Sequence, residues 1–318
     1  MIMLPYIPKI NNYINHLKSS NFFLSFSNKI KPFDLVICHY PIHYNAIKKN
    51  AKNLIVLSHG TDWHEAALSR TDKIRKKAAM DIKAMKNKPV LVANDSHFLN
   101  KLGIKALPAQ NYFSEIEKDV WFIPNCVDSN YFCPTNTERK KQVLIPRNVR
   151  EDRGIHLAIK GFSEFNVETP GYELVIAGFY NDSDPYYIEC IELIKSLNLT
   201  DYVRFTGSVQ RNEMKRLYQE STMSVIPTIE LEGTSLSALE SMACQTPTIS
   251  TIAGGLVDLP TLKCDFSPSD LGAKMNQVVN EWNELSLKQN LITIETFSIA
   301  NWQKAWLNVI DDTINRNK

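Results

Sequence analysis

Two glutamates, a glycine and two hydroxyl residues crowd positions 230–235 of the segment PTIELEGTSLSALESMACQTPTISTIAGG (227–255). The pattern reads as a strand ending at Pro227, a short loop carrying Glu230, Glu232 and Gly233, and a helix entered near Ser235. Thr234 and Ser235 are N-cap candidates, and Ser237 with Glu240 has capping-box spacing one turn later. A helix entrance presents N–H groups without internal partners at the positive end of the helix dipole, an anion site suited to a diphosphate. An ordinary capped helix accounts for the hydroxyls. It does not account for carboxylates gathered where the strands of an open sheet end, nor for a glycine at the helix entry.

Other chemistry-bearing residues read differently. Asp182-Ser183-Asp184 has the spacing of a DxD metal motif, but Asp184 as N-cap with Pro185 at the first helical position explains it, so no metal is expected. His59 closes a strand-like run and opens HGTD, which puts an imidazole at a strand's carboxyl end. His97 and His156 read as structural or exposed, and Trp302 as packing. The six cysteines form no CxxC pair and no zinc spacing, and read as reduced, mostly buried thiols.

The elements that must position these residues alternate strand with helix, the mark of parallel α/β domains. Strand-like runs are FDLVICH (33–39), NLIVLSH (53–59), PVLVAN (89–94) and VWFIPN (120–125), then KQVLIP (141–146), YELVIAG (172–178), YVRFTG (202–207), MSVIPT (223–228) and TPTIST (246–251). Amphipathic stretches such as 184–199 and 211–221 lie between them. The polar, aperiodic segment 125–141, with Pro134, reads as a linker. At 318 residues the chain has room for about two domains. Its apolar runs are strand-sized, short of the roughly 20 residues of a membrane span, and the N-terminal MIMLPYIPKINNY is too broken by proline for a signal peptide. A cytosolic protein is expected.

The net charge of +2 hides a contrast. Met1–Asn125 holds 18 Lys and Arg against 9 Asp and Glu, a net of +9, and the remainder holds 18 against 25, a net of −7. The stretch 69–88 alone has eight basic and two acidic residues. Such a run is either a solvated helix face or a surface that meets something anionic. No aromatic-rich RNA motif or helix-turn-helix accompanies it, so lipid headgroups are expected rather than nucleic acid.

The segment 227–255 resembles the Glu-x7-Glu signature of the retaining glycosyltransferases of family 4, with its two glutamates at Glu232 and Glu240. VWFIPNCVDSNYFCP (120–134) is similar to that family's linker, LIPRNVREDRGIHLAIKGF (144–162) to its strand–loop–helix, and FSIANWQKAWLNVID (297–311) to its C-terminal helix. YELVIAG, YVRFTGSV and LYQESTMSVIPT follow in the family's order. The resemblance covers 120–311, and more loosely DLVICHYP and LIVLSHGTDWHE before it.

It implies the GT-B fold: two Rossmann-like, doubly wound parallel-sheet domains facing a cleft. Residues 1–133 would form the acceptor-side domain, with the C-terminal helix (300–318) packing back on it, and 134–299 the nucleotide-sugar domain. The implied activity is transfer of a sugar from a UDP- or GDP-linked donor to a glycan or lipid-linked acceptor with retention of configuration, in surface-polysaccharide assembly. Arg147 and Arg153 would hold the donor diphosphate without metal or other cofactor; their guanidinium forks suit a charge-gathering leaving group. The family usually has Lys at the second position. Glu240 would accept from the ribose hydroxyls, and Glu232 would sit by the sugar ring. Gly233, Thr234, Ser235 and Leu236 would line the donor, with the 233–235 amides on the phosphates, and the base would meet backbone near Gly207. His59 would line the reaction centre. The enzyme would work peripherally at the inner face of the cytoplasmic membrane.

Three departures accompany the resemblance. The chain opens at MIMLPYIP, after the place of the family's first strand and glycine-rich loop. Cys126 stands where the family prefers a glycine, a position expected to need positive φ, and Gln245 replaces the glycine of MACGTP. An epimerase of the same fold fits the Glu-x7-Glu neighbourhood less well. The reading from another class is a non-catalytic glycan-binding or scaffolding subunit, against which stand the four charged residues Arg147, Arg153, Glu232 and Glu240, costly to bury without a use.

Overall fold

The structure, a computed structural model, describes residues 33–48, 51–60, 62–63, 70–86, 88–108 and 110–316. The expectations placed on residues 1–32, a missing first strand and no signal peptide, lie outside the described residues. The chain forms two compact units, Met1–Pro124 with Gln303–Lys318, and Asn125–Trp302. Residues 125–133, given to the first domain on sequence, cluster with the second unit.

In the first unit, strands β1 (Phe33–His39), β2 (Ala51–Ser58), β3 (Val90–Ala93), β4 (Ser114–Glu117) and β5 (Val120–Phe122) form one sheet of order β1-β2-β3-β5-β4. It is parallel except for β4, which runs antiparallel to β5. The VLVA run of β3 is buried at every residue, as a strand covered on both faces must be. Helix α1 (Arg70–Lys83) packs Ala79 and Ile82 into this core. Helix α2 (Ser96–Lys101) packs Phe98 and Leu99 there, and Asp95 caps it by accepting from the Phe98 N–H at 2.8 Å.

In the second unit the chain runs β6 (Lys140–Ile145), α3 (Ile155–Glu168), β7 (Glu173–Ala177), α4 (Pro185–Ser196), β8 (Val203–Gly207), α5 (Arg211–Glu220), β9 (Ser221–Ile226), α6 (Leu236–Ala243), β10 (Thr248–Thr251), β11 (Leu262–Cys264), α7 (Pro268–Asn280) and α8 (Trp282–Thr296). The strand order is β11-β10-β9-β6-β7-β8, parallel throughout. This is the 3-2-1-4-5-6 order of dinucleotide-binding sheets, and it reverses between β6 and β9. Ligands of such sheets bind outside the strand carboxyl ends at that reversal. Val143, Ile145, Phe162, Phe165, Leu174 and Val225 centre its core. Burying a side chain such as Phe162 is worth roughly 1.5–3 kcal/mol.

Two loops are held by unusual backbone. Gly154 opens α3 at φ 68°, and a Cβ there would fall 1.9 Å from the Pro227 carbonyl oxygen, so only glycine lets the β9 exit pass so close. The exit of α6 is made without glycine: Gln245 itself takes φ 60°. The last carbonyls of α6 are met by Asn290, which donates to Met242 and Ala243, and by Arg139, which donates to Cys244 and Gln245. Arg139 also donates to Tyr218 and Ser221 at the end of α5. Cys126 is not among the described residues with positive φ, so that position needs no glycine here.

The strand calls from sequence hold with shifted ends. β5 stops at Phe122, short of Pro124, and the short β4 and β11 were not foreseen. Asp184 caps α4 by accepting from the Tyr186 N–H at 2.9 Å, with Pro185 in its first turn. All six cysteines are free thiols. Helix α9 (Ile299–Asn315) carries the chain back to the first unit, where Arg316 pairs with Glu115 at 3.6 Å and with Asp119. Among the described residues no helix is long and apolar enough to cross a membrane.

Candidate functional site

β6 and β9 deliver the charged residues to the reversal of strand order. Arg147 leaves β6 after Ile145, to whose carbonyl its N–H is bonded at 2.9 Å. Arg153 ends a single 3-10 turn, Glu151–Arg153, that leads into α3. Glu232 lies in the loop after β9. Gly254 admits that loop: a Cβ at this position would fall 2.4 Å from the Glu232 carbonyl oxygen, which instead accepts from the Gly255 N–H at 2.7 Å. Asn125 fixes the next residue, donating its N–H to Thr234 Oγ1 at 2.8 Å and its amide to the Thr234 carbonyl at 2.6 Å.

The Glu232 carboxylate is shared by two cations. Arg153 Nη1 donates to Oε2, and Arg147 Nη2 lies 3.4 Å from Oε1. The Arg147 and Glu232 side chains are 9% and 13% exposed. Burial holds the Arg147 guanidinium below its ordinary pKa, and Glu232 pulls it back up. Its Nε is buried without a hydrogen-bond partner. Arg147 Nη2 donates to Ser235 Oγ at 2.7 Å, so Ser235 occupies the N-cap of α6 without capping it. The trio carries one net positive charge beside a helix entrance with uncapped amides, an arrangement that favours an anion. The expected Ser237–Glu240 capping box does not form, because the helix starts at Leu236, two residues earlier than that pair requires.

A cavity of about 310 Å³ opens here, lined by Arg147, Arg150, Arg153, Phe179, Ser208 and Ser237. Phe179 is 60% exposed, yet its backbone is fixed on both sides, accepting from the Val149 N–H and donating to Asn148 Oδ1, each at 2.9 Å. Gly207 ends β8 at φ 71°. Leu236, the first residue of α6, is exposed, and Gly233 is buried.

Glu240 lies further along α6, where Tyr218 Oη donates to its Oε2 at 3.1 Å. Burial raises the Glu240 pKa, opposed by that hydrogen bond and by Arg211, and Tyr218 is pushed well above its ordinary value. Among the described residues no group of three or more His, Cys, Asp or Glu is placed to hold a metal.

His59 belongs to the first unit. It follows β2, with its ring Nε2 2.8 Å from His39 Nδ1 at the end of β1 and the Tyr40 ring 5.0 Å away. Below it Asp62 is wholly buried, accepting from Ser58 Oγ at 2.7 Å. Burial raises the Asp62 carboxyl to about 6, against the pull of Ser58, Arg75 and the His59 N–H.

The fold therefore joins Arg147, Arg153, Glu232 and Ser235 by direct contacts, with Gly233, Thr234 and Leu236 along the same loop and helix entrance. Glu240 is bonded to Tyr218 instead, and Gly207 ends β8, which β7 separates from β6. Tyr218, Asn125, Phe179 and His39 were not singled out from sequence. Only His39 left a signal there, as a second strand-ending histidine in CHY beside SHG.

Residues 131–261 match the sequence model of the family described as Glycosyl transferases group 1. Mannosylfructose-phosphate synthase of Agrobacterium fabrum is 29% identical over 154 residues, 44% of this chain; the chain spans only 34% of that relative's length. Anabaena Alr3699/HepE, solved in complex with UDP, superposes with a TM-score of 0.72 at 13% identity, over 93% of this chain and 82% of that one. Sucrose-phosphate synthase from Thermosynechococcus elongatus gives 0.71 at 18% identity, over 96% and 79%. The chain has the GT-B fold, and its second unit carries the segment that matches Glycosyl transferases group 1.

Proposed function

We propose that the protein is a retaining glycosyltransferase of family 4 that moves a sugar from a UDP- or GDP-linked donor to a glycan or lipid-linked acceptor. One observation carries the reading: two arginines share one glutamate at the sheet reversal, beside a helix entrance whose N-cap hydroxyl is engaged elsewhere. A diphosphate fits that net positive charge, and the buried, unpartnered Arg147 Nε is a donor for it. The relatives' own names, a sugar-phosphate synthase and a UDP complex, agree with a nucleotide-sugar donor.

In this reading Arg147, Arg153 and the Gly233–Ser235 amides stabilise the departing diphosphate, and no metal takes part. The bond from the anomeric carbon to phosphate oxygen breaks as the acceptor oxygen adds on the same face of the sugar. The acceptor proton passes to the leaving phosphate. Glu232 exchanges its arginines for the sugar ring, Glu240 takes the ribose, Leu236 flanks the donor, and the exposed Phe179 offers the base a flat apolar surface near Gly207. The same reading assigns His59 of the first unit to the reaction centre.

Surface-polysaccharide assembly at the inner face of the cytoplasmic membrane belongs to the same reading, supported by the +9 charge of Met1–Asn125. The structure narrows which cations could serve it. Arg75 lies over the Tyr40 ring, Lys76 over Trp63, and Lys77 pairs with Asp81 at 3.0 Å. The test of the function is calorimetry with UDP, GDP, ADP and CMP, then NMR of the product's anomeric signal. Binding of UDP or GDP and a retained anomer are expected. Binding of none, or an inverted anomer, refutes the proposal.

A further inference from the structure

The carboxyl edge of the first sheet carries a second histidine that the proposed reaction does not use. β1 and β2 run parallel with His39 opposite Leu57, so His39 and His59 leave the edge side by side. Their nearest ring nitrogens, His39 Nδ1 and His59 Nε2, are 2.8 Å apart. The ring planes are 9° apart and the centroids 5.1 Å apart. A face-to-face stack would bring the rings to about 3.5–4 Å, the contact distance of carbon atoms. One ring radius at each end of the N···N separation accounts for the wider spacing, so the two imidazoles lie edge to edge and share one proton.

Proton bookkeeping then restricts the pair. A neutral imidazole has one N–H and one bare nitrogen, so one ring donates here and the other accepts. If His39 donated, both rings would have to adopt the less favoured Nδ1–H tautomer. If His59 Nε2–H donates, both keep the preferred Nε2–H form, and His59 Nδ1 is left with its lone pair. Charging both rings would place protons on both facing nitrogens and break the bond. The groups around the pair come from three elements: Tyr40, after β1, lies 5.0 Å from the His59 ring and its carbonyl accepts from Cys38 Sγ; Asp62, in the loop after β2, accepts from the His59 backbone N–H; and Arg75 and Lys76 of α1 lie over the Tyr40 and Trp63 rings. Burial and the neighbouring His39 both lower the His59 pKa, which keeps the ring neutral.

We infer that His39 is a positioning residue: it accepts the His59 Nε2 proton and so fixes the His59 ring with Nδ1 presented as an acceptor for a substrate hydroxyl. This rests on the placement of His59 at the reacting sugar. A lone histidine at the edge would leave its ring free to turn between two orientations and two tautomers. The pair removes that freedom, and only the outer nitrogens remain to meet solvent or substrate.

The test begins on the ligand-free full chain, whose seven histidines suit selective ¹⁵N labelling. Ring-nitrogen shifts are followed against pH for the wild type, His39→Asn and His39→Leu. Asn places an amide oxygen near the Nδ1 position and keeps the acceptor without the titration; Leu removes both. The expected result is His59 in the Nε2–H form in the wild type, with its titration held down by the coupling to His39. In both variants His59 should titrate alone and higher. The second arm is hydrolysis of UDP-glucose: His39→Leu should lose about tenfold in kcat with KM for the donor unchanged, and His39→Asn should recover most of it. Independent titration of His59 in the wild type, or an Nδ1–H form, overturns the pairing. If the coupling holds but His39→Leu leaves turnover intact while His59→Ala abolishes it, the positioning role is refuted. If His59→Ala also leaves turnover intact, the placement of His59 at the reaction fails and the pairing itself stands.

Discussion

Replacing Glu232 by glutamine should move stability and nucleotide affinity in opposite directions. At 3.4 Å and an effective dielectric constant of about 20, the gross attraction between Arg147 and Glu232 is about 5 kcal/mol, and Arg153 makes a second contact with the same carboxylate. Much of this is offset by desolvation, but removing one partner of a buried pair costs roughly 3–5 kcal/mol, because the other charge is left uncompensated. Glutamine still accepts a hydrogen bond, so a loss of about 2–3 kcal/mol is expected, near the lower limit. For a unit the size of Asn125–Trp302 that lowers the melting transition by roughly 5–10 °C. A diphosphate entering the wild-type site must displace a carboxylate and tolerate it nearby; in Glu232→Gln it meets a released Arg147 guanidinium and an Arg153 held only by Asp152 at 3.4 Å. UDP should bind about tenfold tighter, near 1.4 kcal/mol, while UDP-glucose turnover falls. Scanning calorimetry and titration calorimetry at low and high salt provide both readings. Weaker UDP binding with an unchanged melting transition would refute the idea that Glu232 holds two phosphate-binding arginines.

Four other outcomes are open to measurement. Glu240→Ala removes charge-assisted hydrogen bonds worth about 1.5–3 kcal/mol and should weaken nucleotide-sugar binding tenfold or more; unchanged affinity in calorimetry excludes Glu240 from the ribose. Donor binding should survive EDTA, and loss on chelation that manganese restores and Asp182→Asn prevents would demand a metal. Asp62 holds its proton more tightly folded than unfolded, with its pKa raised from 3.8 to about 6. Its contribution is therefore full below about pH 4 and lost as pH rises through 6. Measured against Asp62→Asn, wild-type stability should fall by about 3 kcal/mol between pH 4 and 7, and a flat difference excludes the shift. Changing Lys73 and Lys86, both solvent-facing, to Glu should release the protein from anionic vesicles at low salt; co-sedimentation that ignores lipid charge and the substitution removes the membrane from the reading.

Much of the second unit was legible because its signals are local. Apolar runs bounded by Gly, Pro and Asn mark β6 to β10, and Asp184-Pro185 announces the start of α4. Glu232 and Ser235 stood out as a carboxylate and a helix-entry hydroxyl in a loop over a sheet end, whereas Arg147 and Arg153 were named from the resemblance to family 4. What stayed hidden depends on partners far apart in sequence. Tyr218 reaches Glu240 across 22 residues and Asn125 reaches Thr234 across 109, and neither leaves a periodic trace. The left-handed Gln245 is permitted by Arg139, more than a hundred residues earlier. The basic run 69–88 was read as a solvated helix face or an anion-meeting surface, but two of its cations are folded over aromatic rings that sequence separates from them. β4 escaped because SEIE is short and only half-buried on alternate residues.

The discontinuity of the first unit has a consequence for how the chain is made. Asp119 and Glu115 emerge from the ribosome well before the arginine that pairs with them: Arg316 follows about 200 residues later, on the order of 10–40 s at roughly 5–20 residues per second. In that interval the whole of Asn125–Trp302 is synthesised as one unbroken stretch able to complete its own sheet. The first-begun unit is thus the last to close. During synthesis it waits with Glu115 and Asp119 not yet met by Arg316, so nascent-chain protease sensitivity should persist at β4 and β5 until α9 has emerged, long after β6 to β11 are protected.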